Sequence, residues 1–596
     1  MKKNNIIAFI LIAIIFGGGL WLQSVLYQKE RAKMEAAGIS PEVQQTMPPQ
    51  VSEQALEQVQ ANEGAPIVSK PDNAENETDQ VEKTFVVETD MVRATFSNKG
   101  GDLISYKLKQ HRDSRSSENV EMLKNLSDAN RAFAISLGGY ASPILNNIFS
   151  VSEKTGDKGE KGISFTANIA IQNKQGALEY IKLSKHYLFI PGEYMFELVV
   201  TIEGGENFSA LNYGNASYTI RSFPQIGPDW NKNDRYDFRR FSAYIDGKKK
   251  DRVLRAGEVK SVEGASVWTA VSGKYFAFAM IPDKLGGTVT YSTDNSNTSF
   301  NTENTQFFIS QAPMTGSSLQ HSYKIYLGPT SDKYLNRYTD PLKNGFNFGN
   351  LGLETLASNS GFFAPLIVVL NWLLQFVYNF VHNWGIAIIL VTVFIRLLLL
   401  PLSVKTMVGT QKLQPYQASI TEIQKKYRSN PQKMQEEMTK IYDMAGYRPG
   451  CASGCLPLVL QFAVIIAMFQ LFNNYFEFRG ASFIPGWISD LSIGDSVYQF
   501  KNPLPLLAWT DIRLLPIIYI ITQYLSTLLT KQQNQPKETQ SMMFVMMYIM
   551  PAVFFFMLYN APSGLFVFWI TSNILMVFQQ FITNAMVKKE LAKDKK

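Results

Sequence analysis

The chain has 596 residues, 57 Lys+Arg against 50 Asp+Glu, two Cys and an apolar fraction of 46%. Charged residues make up only 18%, below the roughly 25% of a typical soluble chain, and two cysteines are too few for a disulfide-stapled scaffold. A net charge of +7 spread along the chain leaves no footprint for specific DNA.

Lys2 and Lys3 precede an apolar run from Ile6 to Leu22, about long enough to cross ~30 Å of hydrocarbon. Gly17, Gly18 and Gly19 are small, but Leu20, Trp21, Leu22, Val25 and Leu26 continue apolar beyond them. Residues 1–27 are therefore expected to be an uncleaved transmembrane anchor rather than a removed signal. Residues 28–83 run through Gln, Glu, Pro, Ala and Asn with few large apolar groups, the composition of a flexible tether. From 84 to 335, β-branched and aromatic runs such as TFVVETD, GISFTANIAI, YMFELVVTIEG and SYKIYLGP alternate with Gly and Asn turns. That pattern predicts an all-β sandwich, exported by the anchor. His111, His186 and His321 stand apart in sequence, without metal-ligand or triad spacing, and no metal or cofactor is expected.

Beyond residue 355, apolar stretches fall at 361–380, 384–403, 456–475, 513–530, 542–560 and 562–584. Between 404 and 450 lie Lys405, Lys412, Lys425, Lys426, Arg428, Lys433, Lys440 and Arg448, which the positive-inside rule puts in the cytoplasm. An exported chain must return by an odd number of crossings, so only one of the first two stretches spans. Pro365, Asn371, Trp372, Gln375 and Asn379 suit 361–380 to an interfacial amphipathic helix, and 384–403 is the span. The others then alternate, and the basic loop 531–540 and tail 587–596 fall inside, in keeping with the same rule. The expected architecture is a polytopic α-helical membrane protein with six transmembrane helices and both termini cytoplasmic. It carries a large periplasmic β domain, and residues 384–586 form a five-helix core with a cytoplasmic helical hairpin at 404–450. Asn430-Pro431 supplies the hairpin's second arm with an N-cap and a first-position proline.

Arg396 sits inside the 384–403 span, where a lone Arg costs about 2.5–3.5 kcal/mol on insertion scales. No Asp or Glu occurs in any of the six spans, so no intramembrane acid can pair with it. The expectation is a water-containing groove, open toward the basic cytoplasmic loop, with Thr392, Gln461, Gln470, Thr522, Gln523, Ser572, Asn573 and Gln579 as candidate lining. Met542, Met543, Met546, Met547 and Met550 crowd two turns of the 542–560 span. Flexible, polarizable methionines suit a surface that must repack against varied apolar segments; with Phe566 they are the candidate sliding wall. Ordinary lipid-facing or core methionine is the equal alternative. Cys451 and Cys455 have no further Cys or His nearby, so a zinc site is not expected.

The runs NWGIAIILVTVFIRLLLLPL, QPYQASITEIQKKYRSNPQKMQEEMTKIY, GCLPLVLQFAVIIAMF and APSGLFVFWITSNILMVFQQ, together with FSNKGGDLISYKL and KYFAFAMIP in the β region, resemble the YidC/Oxa family of membrane protein insertases in its long Gram-negative form. The likeness covers nearly the whole chain. It implies that Arg396 is the positively charged groove residue with Thr392 beside it, and that Trp569 stands where relatives often carry Tyr. It further implies a β-supersandwich periplasmic domain, an inner-membrane location and no enzymatic activity. Nascent membrane proteins, membrane lipids, the Sec translocon and, weakly or transiently, the ribosome are the implied partners. Two features depart from the family pattern: Arg448-Pro449-Gly450-Cys451 at the hairpin exit, and a short cytoplasmic tail. A secondary transporter with an exported ligand-binding domain is the alternative, although no duplicated halves or intramembrane acids support it. A membrane-anchored carbohydrate-active enzyme would need converging acids in the β region.

Overall fold

The computed structural model describes residues 81–593 apart from 114–117, 173–177, 206–210, 230–236, 253, 255–256, 264–265, 284–286, 294–304, 315, 358–361, 447–455, 502–508 and 531–543. The expected anchor, nearly all of the tether, Cys451, Cys455 and Met543 lie outside the described residues. The described chain separates into two compact units, one ending at Ser360 and the other beginning at Gly361.

In the first unit the period-two pattern becomes strands whose side chains alternate between core and solvent, as along Leu178–Phe189. A nine-stranded antiparallel sheet runs from the edge strand Lys248–Arg252 through Arg240–Ile245, Trp268–Ser272, Phe276–Pro282, Ser318–Pro329, Met195–Gly204, Leu178–Phe189 and Lys161–Gln172 to Ser150–Thr155. A five-stranded sheet orders Val259–Glu263, Thr288–Thr293, Thr305–Ser310, Tyr218–Arg221 and Ile135–Leu137, and Thr84–Glu88, Val92–Ser97, Asp102–Arg112 and Asn119–Glu121 form a third in sequence order. Aromatic rings fill the core between sheets: Phe278 stacks on Phe307 at 5.2 Å, and Phe133 meets both Phe196 and Phe278. Each of the three histidines pairs with a hydroxyl, His186 with Ser164 at 2.7 Å, His111 with Tyr194 at 2.9 Å and His321 with Tyr218 at 2.9 Å. No metal-ligand cluster occurs among the described residues.

Past the strand Ser318–Pro329 the chain stays on the nine-stranded sheet. Glu193, 4% exposed, accepts hydrogen bonds from Arg337 Nη2 (2.9 Å), the Tyr338 hydroxyl (2.8 Å) and the Gly345 amide (3.0 Å). Trp268 Nε1 donates to the Leu351 carbonyl at 2.8 Å, and Leu353 and Leu356 are buried.

The second unit is helical: Ala364–Val381 (α1), Trp384–Leu413 (α2), Gln417–Lys426 (α3), Pro431–Met444 (α4), Leu456–Asn474 (α5), Leu514–Thr530 (α6), Met550–Met557 (α7) and Ser563–Lys593 (α8). Asn430 caps α4, its side chain accepting from the Lys433 amide at 3.1 Å. Ile388 and Val391 of α2, Phe472 of α5, Leu515 and Tyr519 of α6, and Leu565 of α8 share one apolar core, which α1 joins through Leu370 and Leu374. A π-turn at Val545–Ile549 precedes α7. Its physical reason is Pro551, which has no N–H to offer the carbonyl one turn back, so the local winding widens.

Among the described residues three helices are long and apolar enough to cross a membrane by length and composition, Ala364–Val381, Trp384–Val404 and Ser563–Ile582; Ala463–Asn474, Leu514–Leu529 and Met547–Met557 are shorter apolar helices. Ala364–Val381, expected at the interface from charge alternation, is thus long and apolar enough to cross, and by length and composition it is not set apart from Ser563–Ile582, which is expected to span.

Candidate functional site

The five core helices reach one common end. Trp384, opening α2, packs its ring on Tyr475 and Phe478 just after α5, at 5.6 and 5.5 Å. The Arg513 amide, before α6, donates to the Tyr559 hydroxyl after α7 at 3.0 Å, and the Ser563 amide at the start of α8 donates to the Ile493 carbonyl at 2.8 Å. The helices α2, α6 and α8 therefore leave this end, and α5 and α7 arrive at it. The loop between α5 and α6 covers it. Asp495, 4% exposed, accepts from Trp487 Nε1 (3.1 Å) and from the Leu514 and Leu515 amides (2.8 and 3.1 Å) through one oxygen, capping α6 as an anion should. Trp509 stacks flat on Tyr559 at 3.7 Å. Gly385 has no side chain because the Phe483 ring occupies the space a Cβ would take.

Because α2, α6 and α8 run the same way from this capped end, positions along them can be compared by rise per residue. Arg396 lies about 18 Å along α2, Thr522 and Ser526 about 12 and 18 Å along α6, and Asn573 and Met576 about 15 and 20 Å along α8. The polar residues thus share a level roughly 12–20 Å from the capped end. Asn573 Nδ2 donates to Thr522 Oγ1 at 3.4 Å, and the Ser526 hydroxyl contacts Met576 Sδ at 3.5 Å. Toward the capped end this belt gives way to rings: Tyr519 lies 5.2 Å from Trp569 and 5.8 Å from Phe566. Spacing of three and four residues puts Phe566, Trp569, Asn573 and Met576 on one face of α8.

Arg396 is partly buried and has no hydrogen bond or ion pair among the described residues. Thr392, one turn before it and 1% exposed, gives its proton to the Ile388 carbonyl at 2.6 Å, a bond within its own helix. Gln523 is partly buried on α6, and Ser572 is buried on α8. Met547 and Met550 are partly buried; Phe566 is 1% exposed and sits inside the aromatic trio. The side chains of Gln461 and Met546, like all of Met543, lie outside the described residues. Sequence reasoning missed Tyr519 and Asp495. Tyr519 carried one usable signal, its position one turn before Thr522 on the same helical face.

An antiparallel β unit is joined to a bundle of apolar helices, three of them long and apolar enough among the described residues to cross a membrane, which is the build of a membrane protein with a large extramembrane domain. Residues 376–590 match the family model described as 60Kd inner membrane protein, and residues 84–358 match the YidC periplasmic domain. The membrane protein insertase YidC of Treponema denticola is 44% identical over 99% of this chain and 100% of its own length, and that of Treponema pallidum 35% identical over the same shares. That of Chlorobium phaeovibrioides is 28% identical over 98% of this chain and 95% of its own. The chain belongs to the YidC family of membrane protein insertases. A solved galactose mutarotase-like protein from Lactobacillus casei overlaps 41% of the chain at a TM-score of 0.27, a likeness too slight to argue from.

Proposed function

We propose that this chain inserts nascent membrane proteins by way of the polar belt at Arg396, Thr522, Ser526 and Asn573, with Trp569 and Gln523 beside it. In this reading the capped end faces the periplasm with the β unit, six helices cross the inner membrane, and both termini lie in the cytoplasm. A substrate's polar flank crosses a hydrocarbon path shortened by hydrated side chains, and Arg396 attracts its acidic residues. The apolar segment then partitions into lipid along a wall made by Met543, Met546, Met547, Met550 and Phe566. Burial of apolar surface drives the step, and the membrane potential adds roughly 2.3 kcal/mol per negative charge per 100 mV carried outward. No cofactor or covalent step enters. The Sec translocon and, transiently, the ribosome are the proposed docking partners.

One observation carries this reading: Arg396 stands about 18 Å along α2 with no partner among the described residues, on a helix whose neighbours present hydroxyls and an amide at a similar level. Reconstituted full-length protein with Arg396→Glu should fail to insert a substrate whose translocated flank is acidic, while Arg396→Lys retains most of the activity. Normal insertion of that substrate by the Glu variant would sink the attraction mechanism.

A further inference from the structure

Three consecutive lysines follow the tight turn between the strands Arg240–Ile245 and Lys248–Arg252. Asp246 and Gly247 make that turn, both left-handed at φ 54° and 72°, the geometry of a two-residue hairpin. Lys248–Arg252 is the outermost strand of the nine-stranded sheet, where lysines discourage edge-to-edge pairing. That role explains charge at an edge but not its concentration here. Arg240, Lys248, Lys249, Lys250 and Arg252 outnumber Asp246 and Asp251 in this hairpin. Asp251 is engaged by Arg240 (3.3 Å) and Ser242 (2.8 Å), and Asp246 by Lys250 (3.3 Å). Lys248 and Lys249 have no ion pair among the described residues.

The hairpin also lies where the chain leaves the β unit. Lys249 is opposite Tyr244, and Tyr244 opposite Trp268, in one cross-strand row. Trp268 holds the Leu351 carbonyl and the Tyr244 ring packs against Gly352, while Leu353 and Leu356 pin the following turn. Residues 357–363 alone separate that turn from α1, so the covalent link extends at most about 28 Å. One side of α1 is a stripe of exposed Val368, Trp372, Phe376 and Phe380, the composition of a helix lying in the lipid interface.

We infer that the 240–252 hairpin docks on anionic phospholipid headgroups through Lys248 and Lys250, which are exposed on one face of the edge strand while Lys249 points to the other beside Tyr244, tying the β unit to the outer membrane surface. The inference rests on the proposed topology, in which the β unit and the start of α1 share the periplasmic side. The short link keeps the lysines at high effective concentration over the headgroups, and each is attracted over about a Debye length.

The test uses full-length protein with Cys451→Ser and Cys455→Ser, a contact-quenched fluorophore on Ile245→Cys, and nanodiscs containing headgroup-spin-labelled lipid. Quenching is expected in discs containing phosphatidylglycerol at low salt, and its loss at high salt and in discs of phosphatidylcholine alone. Lys248→Ser and Lys250→Ser together should lower the docked-to-undocked ratio about thirtyfold, and Lys249→Ser should change it far less. Absent quenching, equal quenching in both lipids, or no response to the double substitution would overturn the inference. A parallel label on Phe363→Cys should be quenched in both lipids. Quenching there with none at 245 rejects the hairpin contact alone, and none at either position rejects the topology and the contact with it.

Discussion

The Asp102 carboxylate lies 2.6 Å from the Lys185 ammonium, and neither side chain has any exposed surface. Arg131 Nε reaches the other Asp102 oxygen at 2.9 Å, and Lys185 also donates to the Gly100 and Phe133 carbonyls at 3.1 and 2.9 Å. Burial pushes the Lys185 pKa down, while Asp102 pulls it back up. One acid thus holds two buried cations and ties the strand Leu178–Phe189 to the turn at Gly100 and to the segment Arg131–Phe133.

Removing that acid should therefore cost more than removing either cation. Asp102→Asn leaves Lys185 and Arg131 facing each other without a counter-charge, which costs about 3–5 kcal/mol. Lys185→Met still leaves Asp102 its bond to Arg131 and should cost less. Thermal unfolding of the full-length protein in detergent, followed through the β unit, checks the order; equal losses from the two variants would contradict it.

The β unit should also weaken in mild acid. His186 is partly buried beside Ser164, and desolvation lowers its pKa from 6.5, a nearby Glu197 opposing and Lys154 assisting. In the unfolded chain the imidazole takes a proton as the pH falls through about 6.5, while the folded form stays neutral to lower pH. The unfolded state then binds more protons, so stability falls with pH across that window and levels off below the folded pKa. His186→Gln should remove this part of the pH dependence, measured by melting temperature between neutral and mildly acidic buffer. An unchanged slope in that variant would assign the effect to other groups.

The strands and helices were legible because their signals are local. Alternation along Leu178–Phe189 and the Asn430-Pro431 cap each depend on residues a few positions apart. Contacts across long separations left no such trace. Glu193, in a turn between strands, is the anchor for Arg337 and Tyr338 more than 140 residues later, and nothing around it in the sequence distinguishes it from a surface acid. The loop between α5 and α6 is the cover over five helix ends because Asp495, Ile493 and Trp509 meet partners at α6, α8 and the end of α7, contacts that no local pattern in the loop announces. In the helical unit Arg396 was legible from the cost of an isolated charge, whereas the direction of the Thr392 proton depends on a rotamer that no spacing rule reveals.

That cover gives a prediction of its own. Asp495→Ala removes the acceptor for the Leu514 and Leu515 amides and for Trp487, a loss of about 1–2 kcal/mol for an N-terminal cap. Residues 476–512 should become more readily cleaved by protease in detergent micelles, and Asp495→Asn, which keeps an acceptor oxygen, should resist better. Identical cleavage of the Ala variant and the unmodified chain would mean that the apolar contacts of Phe478 and Leu491 hold the loop unaided.

Thr392 and Arg396 are one helical turn apart, yet the structure separates their roles. The Thr392 hydroxyl gives its proton to the Ile388 carbonyl and is almost wholly covered, so it has no proton left to donate to a substrate or to water in a groove. Thr392→Val preserves its shape and forfeits only that bond. Polar contacts inside membrane helices average about 0.6 kcal/mol, so insertion by this variant should change by no more than about threefold. Arg396→Glu, measured with the same acidic-flank substrate, should abolish it. If Thr392→Val were as damaging as Arg396→Glu, the threonine would have to reorient during insertion and meet the substrate directly, and the belt would extend along α2 to the level that Thr522 marks on α6.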